Sequence, residues 1–323
     1  MANGPGRTPP QMQGSDHVRA LRLRGPRAAT IVDVPDPLAG AGEVLVRIRS
    51  CGVCGSDLNA WRGVAGIQYP LAPGAPGHET LGDVVALGPD VNTLRVGQTV
   101  TGLMWNGLAE LGVARAEDLV TVRDGTSLLG EPLACAMNVV RRSGVGAHDR
   151  VAVVGFGYLA ALVVQLLPTD VGGWIALSRR EDSRSLALRL GADAAYDLSS
   201  VPAKLWDSVG VVVEAGGVQQ TLDFATWLTA YGGRLVIAGY HADGQRTVNM
   251  QSWNWKGIDV INAHERQPAT YVRALHEALA LVATRRIELD SLHTHTWSLE
   301  QAAEAFRFAD ERPPGFVKGI VRP

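Results

Sequence analysis

Val151-Ala-Val-Val-Gly155-Phe-Gly157-Tyr-Leu-Ala160 sets an apolar run of strand character directly before a glycine turn and a helical pattern. The positions divide the work of such a unit. Gly155 suits the tight turn, Gly157 lets backbone approach a pyrophosphate, and the small Ala160 lets the helix pack close to the strand. The first helical residues, Tyr158 and Leu159, stand where a helix start offers unpaired N–H groups to phosphates. A glycine triplet is a weak signal alone and fits any strand-to-helix turn of an α/β protein. The residues downstream give it weight. The helical run 159–167 stops at Pro168, an apolar strand 174–177 comes next, and then a helix over 183–190, a strand 209–215, a helix 221–230 and a strand 234–239, the alternation reaching Asn262. That order specifies a parallel, doubly wound sheet, although Pro168 and Gly172-Gly173 interrupt the first crossover.

Upstream the period changes. Residues 43–50 alternate Val44, Val46 and Ile48 with Arg47 and Arg49, the pattern of a half-buried strand. Further short strands are read over 17–23, 28–34, 81–87, 98–101 and 108–114, separated by glycine and proline, so this part is β-rich; a helix over 133–142 leads out of it. Downstream, Val272, Leu275, Leu279 and Val282 mark a helix over 270–285, and Ser298-Leu-Glu-Gln301 has capping-box form ahead of a helix over 301–310. Residues 318–322 read as a strand returning to the first half. The expected organisation is a flexible 1–16 rich in Gly, Pro and Gln, a β-rich unit over 17–143, a cofactor unit over 144–285 and a returning segment over 286–323.

A chain of 323 residues suggests about two domains. Its net charge of −2 gives no basic excess, which argues against nucleic acid or an anionic membrane as partner. No apolar run reaches the ~18 residues of a membrane span, so a cytoplasmic protein is expected. Three cysteines, Cys51, Cys54 and Cys135, are too few for a disulfide framework and fit a reducing compartment.

Cys51-Gly-Val-Cys54-Gly-Ser56-Asp57 follows a strand, and Gly77-His78-Glu79 follows a Pro/Gly-rich loop. One thiolate, one imidazole and nearby carboxylates, with Glu131 also available, form the donor set of a catalytic zinc that keeps a position open. A CxxC redox pair and a hydrogen-bonded loop histidine are the alternatives.

These segments, with Gly82-Asp-Val-Val-Ala-Leu-Gly88, Gly97-Gln-Thr-Val100, Glu131-Pro-Leu and the glycine turn, occur in the order seen in the zinc-dependent medium-chain dehydrogenases, which the chain resembles from residue 17 onward. The resemblance implies an α/β chain with a GroES-like β-barrel catalytic domain and a Rossmann cofactor domain, the active site lying between them. It implies Cys54, His78, Glu79 and Glu131 as zinc ligands, Asp57 orienting an imidazole, and Ser56 bonding the substrate oxygen and passing its proton; Cys51 is not a ligand. Glu131-Pro-Leu is closer to the polyol branch than to the simple alcohol branch. The family's four-cysteine lobe is missing, so one zinc per chain is expected, and Asn59 stands where many relatives have a relay histidine. A homodimer or homotetramer is expected.

The cofactor reading rests on the end of strand 174–177, Leu177-Ser178-Arg179-Arg180. An acid there would accept from a ribose 2′-OH, whereas Ser178 followed by Arg179 makes room for a 2′-phosphate, so NADP(H) is read in preference to NAD(H). Glu181 and Asp182 are the competing acids. The cofactor-binding set is Gly155, Gly157, Tyr158, Leu159, Ser178, Arg179, Arg184, Glu214, Ala238 and Lys318.

The expected activity is hydride transfer between NADP(H) and an alcohol or carbonyl compound, with a polyol or other polar secondary alcohol as substrate. The alternatives are a zinc-free reductase of activated C=C or C=N bonds on the same scaffold and a non-catalytic relative. Trp61, Trp105, Asn106, Trp253, Trp255, His264 and Arg266 are read as candidates for a polar substrate pocket or as core and interface residues.

Overall fold

The computed structural model describes residues 17–242, 244–284 and 287–323; the expected flexible segment 1–16 lies outside them. Among the described residues fifteen strands form three sheets. β1 (His17–Gly25) and β2 (Ala28–Pro35) make an antiparallel hairpin. β3 (Glu43–Gly52), β4 (Glu79–Leu87), β5 (Thr99–Leu103), β6 (Leu111–Arg115) and β7 (Leu119–Thr121) come next in antiparallel pairings, with β3 flanked by β4 and β6. The alternation read in β3 has the expected effect: Val44, Val46 and Ile48 are buried and Arg47 and Arg49 face out.

β8 (Val151–Val154), β9 (Trp174–Leu177), β10 (Ala194–Tyr196), β11 (Val209–Glu214), β12 (Thr229–Ile237) and β13 (Asp259–Asn262) pair in parallel in the order β10-β9-β8-β11-β12-β13. That is the third, second, first, fourth, fifth and sixth strand of a doubly wound sheet, whose strand order reverses between β8 and β11. The interrupted first crossover does not disturb it. Helix α3 (Tyr158–Leu166) ends just before Leu167-Pro168, and β9 still aligns Trp174 with Val151.

Helix α2 (Gly130–Ser143) lies between the sheets, touching β4 and β5 on one side and α3 and α7 (Pro268–Thr284) on the other. α4 (Glu181–Arg189), α5 (Gln219–Leu228) and α6 (Met250–Lys256) serve the parallel sheet. The chain then returns. β14 (His293–Ser298) and β15 (Lys318–Arg322) join the antiparallel sheet through the pairing of β15 with β3, and α8 (Ala302–Glu311) packs against the short helix α1 (Asp57–Arg62).

Several bounds differ from the sequence reading. Residues 108–110 only bridge to β1 before β6 begins, the helix at 270 starts at Pro268, and β10, β13, α1 and α6 were not anticipated because each is too short to show a period. Among the described residues no helix is long and apolar enough to cross a membrane.

Candidate active site

β3 ends at Gly52 and passes into α1, which places Cys54 and Ser56; the next strand, β4, begins at Glu79 after a loop carrying His78. These neighbouring strand ends bring three donor groups together: the ligand atoms of Cys54, His78 and Glu79 all lie within 4.8 Å of one another. Asp57 Oδ1 lies 3.0 Å from His78 Nδ1, its other oxygen accepts from the Cys54 N–H at 2.9 Å, and the Pro76 carbonyl also lies 3.0 Å from His78 Nδ1. With Nδ1 committed to these acceptors, Nε2 is the nitrogen turned to the donor group and the one a metal would take in place of its proton. Ser56 Oγ stands 3.5 Å from Nε2.

Burial and charge act against each other across this group. Burial and then the negative charge of Glu79 push the Cys54 thiol up, with His78 opposing. Burial opposes charge on His78, but Asp57 and Cys54 outweigh it and hold the imidazole well above its usual range. Burial would raise Glu79 also; Lys318 and His78 more than offset this and keep it below the usual carboxylate value. A divalent ion would take the place of these protons, and a sulfur, nitrogen and oxygen set suits zinc with a fourth position open. The donors present therefore fit that metal.

Glu79 has a further partner. Lys318 reaches it from β15 as a buried ion pair, the two residues being 4 % and 1 % exposed. Gly52 makes the space: a Cβ there would stand 2.1 Å from Glu79 Oε2 and 2.9 Å from Lys318 Cε. The same ammonium lies 4.8 Å from the centre of the Tyr158 ring, the first residue of α3. Lys318, read from sequence as a cofactor contact, thus stands at the donor group and at the glycine turn together. Tyr158 in turn shares a hydrogen bond of 3.0 Å with His293 Nε2.

Glu131 is half-buried near this group but outside it. Its Oε1 accepts from the Cys135 thiol at 3.2 Å, and burial raises its pKa. Cys51 points into the apolar core beside Leu108, with its thiol raised by burial. Cys51 and Cys54 are both free thiols.

On the parallel sheet, Gly155 has φ of 87°, and a Cβ on it would stand 2.6 Å from the Gly216 nitrogen. The turn after β8 therefore rests on the turn after β11, closing the floor of the crevice at the point where strand order reverses. Leu159, in the first turn of α3, packs partly buried against the core, and Ala238 is buried with its N–H on the Glu214 carbonyl at 2.8 Å.

Two charged residues assigned to the cofactor are committed elsewhere. Glu214 accepts from the Gly216 and Gly217 N–H groups at 2.8 and 2.7 Å, from Thr221 Oγ1 at 2.5 Å, and meets His241 Nε2 at 2.9 Å. Arg184 Nη1 donates to the Ser178 and Arg179 carbonyls at 2.8 and 2.9 Å and to Asp197 at 2.7 Å. Both shape the crevice walls from behind. Ser178 is buried and accepts from the Arg180 N–H at 3.3 Å, whereas Arg179 is exposed. Asp182 is paired with Arg180 at 2.6 Å, and hydrogen bonds from Arg180 and the Gly315 N–H bring its pKa to about 2.

The tryptophans separate. Trp61 is core, stacked on Phe306 at 5.4 Å, and Trp253 donates to Thr226 at 3.3 Å. Trp105 is 64 % exposed with its ring centre 6.1 Å from that of His78, which makes it a wall of the donor site. Sequence reasoning missed Arg312: its Nη2 would lie 3.0 Å from a Cβ on Gly157. The only signal was a basic residue just before Pro313-Pro314-Gly315.

Residues 40–162 match the family of alcohol dehydrogenase GroES-like domains. The chain is 26% identical over 319 residues to a sorbitol dehydrogenase of Halalkalibacterium halodurans, covering 85% of this chain and 91% of that protein. It is 26% identical over 335 residues to an L-arabinitol 4-dehydrogenase of Penicillium rubens, covering 86% and 85% of the two chains. Its fold superimposes on the crystal structure of 2R,3R-butanediol dehydrogenase from Bacillus subtilis with a TM-score of 0.80, at 24% identity, covering 95% of this chain and 99% of the other.

Proposed function

We propose that this chain, a member of the zinc-type medium-chain dehydrogenase/reductase family, is an alcohol dehydrogenase that exchanges a hydride between a nicotinamide dinucleotide and a polyol or other polar secondary alcohol. The observation that carries this reading is the position of Lys318, which touches the Cys54, His78 and Glu79 donor group through Glu79 and the start of the glycine turn through Tyr158. The residues that would hold a metal and those that would hold a dinucleotide are thus joined through one side chain. When bound, zinc supplies a Lewis acid to the oxygen and the nicotinamide carries the hydride.

The chain's own residues do the rest. Cys54, His78 and Glu79 would hold the metal, and Asp57 keeps His78 in the tautomer that can bind it. Lys318 neutralises Glu79 when that carboxylate is not on the metal. Ser56, 3.5 Å from His78 Nε2, would hydrogen-bond the substrate oxygen and pass on its proton. Asn59 offers an amide, which does not titrate, so the proton goes from Ser56 to water. The carboxylate and hydroxyl groups of this cleft, with Trp105 as a wall, favour a substrate with several hydroxyls over a bare alkyl alcohol.

The test combines metal analysis with turnover. Protein purified without chelator is expected to hold about one zinc per chain, and to oxidise sugar alcohols and vicinal diols faster than primary alkyl alcohols. Full activity without metal would replace this reading by a zinc-free reductase, a family alternative for which the donor group gives no support.

For the cofactor we propose NADP(H). Ser178 leaves no carboxylate at the end of β9, Asp182 is taken up by Arg180 and Gly315, and Arg179 is free to meet a 2′-phosphate. Arg179→Ala is expected to lower kcat/KM for NADP+ by roughly tenfold to a hundredfold, the strength of a charge-assisted hydrogen bond, with NAD+ nearly unchanged. Ser178→Asp should shift preference toward NAD+. A wild type that prefers NAD+ would give the choice to Glu181, the exposed acid that remains.

A further inference from the structure

α8 closes on Arg312, whose φ of 48° puts a non-glycine residue in the left-handed region. Glycine is the usual residue at such a helix end, because a side chain there costs roughly 1 kcal/mol. Residues 312–315 are fastened to the corner of the parallel sheet. Arg180 donates to the Arg312 carbonyl and, from Nη2, to the Pro313 carbonyl at 3.0 Å; Asp182 Oδ2 accepts from the Gly315 N–H at 2.8 Å.

This fastening sets the Arg312 side chain over the glycine turn. A Cβ built on Gly157 would meet Arg312 Nη2 at 3.0 Å, so the guanidinium lies directly against the face that the missing side chain leaves open. In a dinucleotide-binding turn that space belongs to the pyrophosphate. Arg180 and Arg62 add like charge around Arg312, with Asp182 opposing, and Asp182 is already paired with Arg180. Among the described residues the Arg312 guanidinium has no carboxylate of its own. The strained backbone thus holds a cation where an anion is due.

We propose that Arg312 binds the diphosphate of the dinucleotide, so that the returning C-terminal segment supplies a cofactor contact that the parallel sheet does not. The guanidinium fork matches two phosphate oxygens at once. This rests on the proposed dinucleotide function but not on the choice between NADP(H) and NAD(H), because both carry the same diphosphate.

Fluorescence titration of NADPH and NADH against the wild type, Arg312→Gly and Arg312→Lys tests it. Arg312→Gly suits the left-handed backbone and is expected to melt no lower than the wild type. It should nevertheless weaken NADPH and NADH by the same factor, roughly tenfold to a hundredfold, and Arg312→Lys should recover part of the loss. Arg179→Ala, in contrast, should affect NADPH alone. Unchanged or tighter binding in Arg312→Gly overturns the proposal, tighter binding marking the arginine as a plug; a loss confined to NADPH overturns it in favour of a 2′-phosphate contact. A wild type that binds neither nucleotide overturns the dinucleotide reading itself, and this proposal with it.

Discussion

Cys54→Ser and His78→Ala are each expected to lower kcat by at least roughly a thousandfold while NADPH affinity stays within about twofold of the wild type. The two effects separate because the groups do. Cys54 and His78 lie at the end of β3 and in the loop before β4, on the antiparallel sheet, whereas the glycine turn comes after β8 of the parallel sheet. Serine keeps the size of Cys54 but is a far poorer ligand for zinc, and alanine removes an imidazole that Asp57 has already oriented. Single-turnover kinetics together with NADPH fluorescence would show the split. Loss of NADPH binding in both variants would mean that the donor group holds the crevice together rather than serving the reaction.

Lys318→Met is expected to destabilise the metal-free protein by roughly 3–5 kcal/mol, the cost of leaving one member of a buried ion pair without its partner. Glu79 is 1 % exposed and Lys318 4 %, so water does not reach the carboxylate easily. Zinc should restore most of the loss, since the ion supplies the missing positive charge. The double variant Glu79→Leu/Lys318→Met should be more stable than Lys318→Met alone, because it buries no charge. Unfolding in denaturant with and without chelator measures all of this. Equal stability of Lys318→Met and wild type without metal would show that the pair is hydrated in solution.

What could be read in the sequence was local. The run into Gly155, the alternation of Val44, Val46 and Ile48, and the close spacing of Cys54 with Ser56 and of His78 with Glu79 each show their chemistry within a few residues. Partnerships across the chain were not legible. Glu214 and Arg184 have the right charge and the right strand ends for a cofactor, yet Thr221, His241 and Asp197 hold them. Glu131 has the right type for a ligand, and Cys135, one helical turn on, takes its oxygen. Arg312 comes after the last long helical pattern as an ordinary basic residue, and Lys318, read as a cofactor contact, gives no sign of its partner Glu79. Only the pairing of β15 with β3 and the fastening of 312–315 by Arg180 and Asp182 give them their places. α1, which carries Asp57 and Asn59, has six residues and offers no period to detect.

The strand order of the antiparallel sheet bears on how the protein is made. β3 and β4 leave the ribosome well before β15, which pairs with the end of β3 at Cys51 and Gly52 and carries the counter-charge of Glu79. Until then the nascent chain holds an unpaired strand end and a carboxylate without its counter-charge, and closing so long a loop is slow. A metal ion captured by Cys54, His78 and Glu79 during synthesis would hold that carboxylate in the meantime. Metal supply would then bear on the yield of folded protein as well as on its activity.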